Sequence, residues 1–159
     1  RWPRPVAAVS RFADGGRCAR GGPRFVSLYL DASVFLKLYL EESDSQRAEE
    51  LVVSDPDWVT GRHTLVEVRR NLARALEGRA LHAAHRQFAR DWESTAVVEL
   101  TRDVCAYAAE LAEATGARTL DALHLGAAKA AGGGALPLAT FDVRQAQAAR
   151  SLGWVVLGS

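Results

Sequence analysis

Short apolar runs alternate with amphipathic helical stretches along this chain, and that alternation most restricts what it can fold into. Residues 25–30 (FVSLYL) form an apolar run that ends in Asp31-Ala-Ser, a helix-starting signal. A short helix over 33–40 and another over 44–54 follow, the second broken by Asp55-Pro56-Asp57. Residues 58–60 read as a brief strand. Leu65, Val68, Leu72 and Leu76 stack on one face of a helix over 62–77, which Gly78 is expected to end. A helix over 80–94 carries Leu81, Ala84, Phe88 and Trp92 inward. Residues 97–100 read as a strand. Thr101 caps a helix over 102–115 stopped by Gly116, and Thr119 is expected to cap one over 120–131. Residues 136–140 (LPLAT) are a strand whose first part Pro137 weakens, 142–151 a helix, and 154–157 a last strand. Strands that are continuous apolar runs, each followed by helix, predict an α/β fold with a parallel sheet covered on both faces. The chain contains no internal repeat.

The 159 residues suit one domain, large enough to bury roughly 70% of its unfolded surface without disulfides. Cys18 and Cys105 are too few for a disulfide framework, and no Cys/His spacing resembles a zinc motif. Both are expected to stay reduced, as in a cytoplasmic protein. No stretch approaches the about 20 apolar residues that span a bilayer, and Val6–Val9 is too short for a signal-peptide core. The net charge is +1, but residues 1–25 hold six arginines against Asp14 alone, so the remainder is net acidic. Residues 1–24, rich in Arg, Gly and Pro, read as a flexible extension outside the fold; a basic RNA-contacting arm is the functional alternative. The fold proper occupies 25–159.

In a parallel sheet, binding sites form beyond the carboxyl ends of strands. Asp31 and Asp142 stand at two such ends, Asp121 lies in the first turn of a helix, and Glu67 borders a buried helical stripe. Carboxylates gathered in one cleft repel one another and stay ionised together only when cations neutralise them. Hard oxygen donors suit Mg2+ or Mn2+, and such a centre suits phosphodiester hydrolysis. Each acid also has a purely structural reading. Asp31 and Asp142 can cap helices, Asp121 can complement a helix dipole, and Glu67 can pair with Arg70 or Asn71.

Four segments then carry a resemblance: LYLDASVFLKLYLEE (28–42), TLVEVRRNLARAL (64–76), ARTLDALHLGAAKAAG (117–132) and LATFDVRQAQAARSLG (138–153). Their order and spacing resemble the PIN-domain family, in particular VapC-type toxins of bacterial toxin–antitoxin pairs, across about residues 26–157. The resemblance implies a three-layer PIN-like fold with a central five-stranded parallel sheet flanked by helices. It implies that Asp31, Glu67 and Asp121 coordinate Mg2+ (Mn2+ as substitute), with Asp142 as a more variable fourth acid and Ser33 and Thr140 as small polar residues beside the metal. The implied activity is endonucleolytic cleavage of structured RNA, transfer or ribosomal, which inhibits translation. The implied partners are a VapB-type antitoxin and a second copy of the chain, in a homodimer or a larger toxin–antitoxin assembly, with no membrane. The 1–24 extension departs from the family pattern. An RNA-processing nuclease of the same fold and a non-catalytic RNA- or protein-binding PIN module are the alternatives. A phosphatase using Asp31 as nucleophile would want Asp at position 33, where this chain has Ser33.

Several other residues have two readings. Arg62, Arg69, Arg70, Arg74, Arg79, Arg86 and Arg90, with His63, His82 and His85, make 62–90 basic: an RNA-backbone track or a solvated face. Arg118, three residues before Asp121, either contacts a phosphate near the metal or pairs with an acid. His124 lies on the face of Asp121 and reads as a buried supporting residue rather than a general base. Trp58, Trp92 and Trp154 read as core. Phe35, Leu36, Leu38, Tyr39 and Leu40 exceed what one buried face needs, which leaves either a partner surface or a larger core.

Overall fold

A computed structural model describes residues 28–159. The reading of 1–24 as an extension, and Phe25–Ser27 of the first strand, lie outside the described residues. The elements run β1 (Leu28–Leu30), α1 (Ala32–Tyr39), α2 (Ser45–Ser54), β2 (Trp58–Gly61), α3 (Thr64–Ala75), α4 (Gly78–Ser94), β3 (Ala96–Val98), α5 (Arg102–Thr115), α6 (Thr119–Ala131), a 3-10 turn (Gly133–Ala135), β4 (Leu138–Thr140), α7 (Val143–Ser151) and β5 (Val156–Gly158). All neighbouring strands pair in parallel, in the order β3-β2-β1-β4-β5. The α/β expectation holds, with helices on both faces of the sheet.

Alternation along the strands builds the two faces. Leu28, Leu30 and Ala139 pack on one side with Phe35, Leu38, Val68, Leu72 and Phe88 from α1, α3 and α4. Tyr29, Val59 and Leu138 pack on the other with Val104, Leu111, Leu125 and Ala148 from α5, α6 and α7. β1 is central and fully buried, which explains its unbroken apolar run. The two edge strands, β3 and β5, are three residues each, short enough to offer little template for further pairing.

Strand order reverses at β1: the chain builds outward through β2 and β3, then crosses to β4 and β5 on the other side. The crevice beyond the carboxyl ends of β1 and β4 is therefore a topological switch point, the place where open α/β sheets bind ligands. The helix α6 packs closely on α5 because Gly126 has no side chain. A Cβ there would lie 2.7 Å from the Val104 carbonyl oxygen and 2.8 Å from the Ala108 nitrogen, both backbone atoms. That contact fixes the helix carrying Asp121 and His124.

Several local expectations shift. Gly78 does not end α3, which stops at Ala75. It opens α4 with φ at +51°, a conformation that suits glycine at the sharp corner between the two helices. Thr119 is the first residue of α6 rather than its cap; Arg118 takes the cap position with no side-chain hydrogen bond. Pro137 stays out of β4 but its carbonyl accepts from the Tyr29 N–H. Most of the apolar excess at 35–40 is core: Phe35, Leu38, Tyr39 and Leu40 are buried within this single chain, and Leu36 is partly buried against them. Trp58 is core as well.

Candidate active site

The site is built outward from Asp31. It ends the central strand, is 2% exposed, and caps α1 by accepting from the Val34 N–H at 3.1 Å. The capping reading is therefore correct, but it uses one of several contacts. Ser33 Oγ donates to Asp31 Oδ1 at 2.6 Å, and Thr140 Oγ1, from the end of β4, donates to Oδ2 at 2.6 Å. Both supporting hydroxyls are locked in turn: the Phe141 N–H donates to Ser33 Oγ at 2.8 Å and the Asp142 N–H to Thr140 Oγ1 at 2.9 Å. The carboxylate is thus held rigidly across the switch point. Burial raises its pKa above the ordinary aspartate value, against the lowering influence of His124 and the hydroxyl donors.

Glu67 and His124 form the second part. Glu67 Oε2 lies 2.8 Å from His124 Nε2, and His124 Nδ1 lies 3.0 Å from the Tyr29 hydroxyl. Glu67 therefore does not pair with Arg70. Burial opposes ionisation of Glu67, but the hydrogen bond and charge of His124 outweigh it and leave its pKa below the ordinary value. His124, 2% exposed, is the buried supporting residue that the sequence suggested. His63 is also buried, with its ring 4.2 Å from that of His124, so it is no part of a solvated basic face. Burial, with the neighbouring His124 second, lowers its pKa to about 3.

Asp121 and Asp142 form the third part. Asp121 is raised by burial first and by the charge of Asp142 second, while His124 and Arg118 pull it down. Asp142 caps α7, accepting from the Arg144 N–H at 2.8 Å and the Gln145 N–H at 3.2 Å, and remains exposed. His124 thus stands within electrostatic reach of Asp31, Glu67 and Asp121, and Asp142 within reach of Asp121. Beside Asp121 opens a cleft of about 420 Å³ whose wall includes Arg118, Arg144, Gln147 and Ser151. Arg144 was not singled out from the sequence. Its place two residues after Asp142, in the first turn of a helix following a strand end, is the signal that could have found it.

Among the described residues, no lysine or arginine forms an ion pair with Asp31, Asp121 or Asp142. Among the described residues, the donors that meet within 4.8 Å of one another are His63, Glu67 and His124; Asp31, Asp121 and Asp142 do not close into such a group, and Asp31 is the acid held buried and pre-oriented as a divalent ion requires. The other arginines divide. Arg62 forks onto Glu99 and lies over the Trp92 ring, so its charge is already engaged. Arg70 and Arg74 are exposed on α3, and Arg69 borders a groove with His82, His85, Arg86 and Trp92. Only Arg118 of this group adjoins the acids.

A pH dependence follows. Asp31 and Asp121 must be ionised to hold a cation, and both titrate above the ordinary aspartate value. Uptake of a divalent ion at sub-saturating concentration is expected to fall as pH drops through a range above that value, and a saturating concentration should move the loss to lower pH. Titrations with a divalent ion across pH at two ion concentrations check this; a midpoint independent of the ion concentration would contradict it.

Residues 28–151 match the family model of the PIN domain. Two ribonucleases of Mycobacterium tuberculosis, named VapC45 and VapC49 in different strains, are each 37% identical to this chain over 131 residues, covering 79% of it and 91% of their own length. Among solved structures, M. tuberculosis VapC20, described as a sarcin–ricin loop cleaving toxin, aligns with a TM-score of 0.65 at 23% identity, covering 81% of this chain and 97% of that one. A chain of a toxin–antitoxin complex from Klebsiella pneumoniae aligns with a TM-score of 0.59 at 15% identity, covering 75% and 89%.

Proposed function

Because this chain belongs to the PIN-domain family, among the VapC ribonucleases, we propose that it is the toxin of a toxin–antitoxin pair, a divalent-metal-dependent endoribonuclease that hydrolyses structured RNA and so inhibits translation. The observation that carries this reading is the buried Asp31 carboxylate, oriented by Ser33, Val34 and Thr140 at the sheet's switch point and paired with no lysine or arginine among the described residues.

Asp31, Glu67, Asp121 and Asp142 would hold the ion, Mg2+ or Mn2+. When bound, the ion supplies a Lewis acid that activates water and draws charge from the scissile phosphate. The residues do the rest. Ser33 and Thr140 keep Asp31 from rotating, so its oxygens need no reorganisation on binding. His124 fixes Glu67 through its Nε2 and is itself fixed by Tyr29. Arg118 and Arg144 flank the cleft beside Asp121, where they can receive the phosphates next to the scissile one. Exposed Arg69, Arg70 and Arg74 on α3 offer further positive charge to a longer RNA.

The likeness to a toxin–antitoxin complex and to VapC relatives supports an antitoxin as the natural partner, and the family supports a homodimer or a larger assembly. No described helix is long and apolar enough to cross a membrane; we place the protein in the cytoplasm with its RNA. Residues 1–24 remain, in this reading, an appendage to a PIN domain spanning 25–159.

Antitoxin-free protein incubated with total bacterial RNA tests the proposal. Discrete fragments are expected with Mg2+ or Mn2+ and none with a chelator. RNA left intact with every metal by a folded protein would favour the non-catalytic module, and cleavage unaffected by chelation would exclude a metal centre.

A further inference from the structure

His63 is unexplained by the nuclease centre. Its side chain is 7% exposed, and both ring nitrogens are buried without a hydrogen-bond partner. Such orphaned groups are costly and are rare in folded proteins. Its surroundings hold further donors. One ligand atom each from His63, Glu67 and His124 lies within 4.8 Å of the others. His63 immediately precedes α3 and Glu67 follows one helical turn later, so both side chains face the same way. His124 reaches them from α6. The backbone makes room for the arrangement at Gly61: a Cβ there would lie 2.4 Å from His63 Cε1 and 2.7 Å from its Nδ1.

We propose that His63, Glu67 and His124 form a second metal site, selective for a borderline-soft divalent ion of the Zn2+ class and separate from the hard-cation centre at Asp31. Two imidazoles and one carboxylate, with further positions open, are a donor set that favours zinc and its neighbours over magnesium. The ion would replace the hydrogen bond between His124 Nε2 and Glu67 Oε2, now 2.8 Å apart. The remaining ring proton of His124 then sits on Nδ1, where the Tyr29 hydroxyl accepts it.

Glu67 belongs to both centres and cannot serve both in full. Zn2+ in the histidine site therefore withdraws an acid from the Mg2+ centre and inhibits cleavage. This consequence rests on the nuclease reading; binding itself does not.

The test uses the full chain without an affinity tag, with Co2+ as the probe. A visible d–d absorption band is expected, saturating at about one equivalent, abolished by Zn2+ and lowered only by a large excess of Mg2+, which competes for Glu67. His63→Gln should lose the band and Asp142→Asn should keep it. In the cleavage assay, one equivalent of Zn2+ should slow the wild type at least about tenfold and spare His63→Gln, which retains its Mg2+-dependent activity. Absence of the band, its survival in His63→Gln, or its loss in Asp142→Asn would overturn the site. Should His63→Gln not fold, ring-nitrogen NMR of the wild type decides: the His63 and His124 resonances shift with Zn2+, or the proposal fails. A protein that cuts no RNA but shows the band would refute the nuclease reading and leave the metal site standing.

Discussion

Replacing Asp31 by asparagine is expected to stop RNA cleavage and, at the same time, to make the metal-free protein harder to unfold. Loss of one ionic ligand from a pre-oriented site should lower the rate about a hundredfold or more. The stability gain arises from the same burial. Asp31 is almost wholly enclosed, and its folded-state pKa stands above the unfolded value. The folded state therefore holds a proton that the unfolded state has already released, and stability falls as pH rises through that window. At neutral pH the ionised carboxylate is a standing cost. The asparagine side chain carries no charge, keeps an oxygen for Ser33 and Val34, and lets the Thr140 hydroxyl turn from donor to acceptor. The metal-free variant should gain on the order of 1 kcal/mol at pH 7, a typical return for relieving a functional site. The gain should vanish below the ordinary aspartate pKa. Denaturant unfolding with a chelator at pH 7 and at pH 3 measures both. A less stable variant at pH 7 would mean that the three hydrogen bonds to Asp31 outweigh the burial of its charge.

Thr140→Val tests the other side of the switch point. Its hydroxyl is fully buried and does two jobs, donating to Asp31 Oδ2 and accepting from the Asp142 N–H. Valine fills the same volume but leaves both partners unsatisfied, at a cost of about 1–3 kcal/mol. The carboxylate also loses one of the contacts that fix its orientation, so apparent Mg2+ affinity in the cleavage assay should drop about 10–100-fold. Thr140→Ser should restore most of the affinity. Equal losses in the two variants would show that the hydroxyl is not what orients Asp31.

Much of this site was legible because it sits where a parallel sheet puts ligands. Asp31 and Thr140 follow apolar runs, and strand ends are visible in sequence. Glu67 was found because it borders the Leu65–Leu76 stripe. His63 was not, because a polar residue between Arg62 and Thr64 reads as solvated until α6 is placed across from it. Its burial depends on His124 and Gly61, contacts that no spacing rule reports. Gly78 misled for a similar reason. A glycine after an amphipathic stretch signals a stop, but here the same positive φ begins the next helix. Strand boundaries also moved: β4 and β5 each begin two residues later than the apolar runs suggest, since pairing requires a neighbour and hydrophobicity only a core. The role of Arg62 was invisible because its partner, Glu99, lies on another strand end.

The proposed metal centre rests on Asp31 together with Glu67, Asp121 and Asp142. Mn2+ titration followed by electron paramagnetic resonance reads it without recourse to cleavage, since free aqueous Mn2+ gives a strong signal that disappears on binding. The full chain should take up Mn2+, Mg2+ should displace it, and Asp31→Asn should abolish uptake while remaining folded by circular dichroism. Unchanged Mn2+ uptake by a folded Asp31→Asn protein would contradict the account.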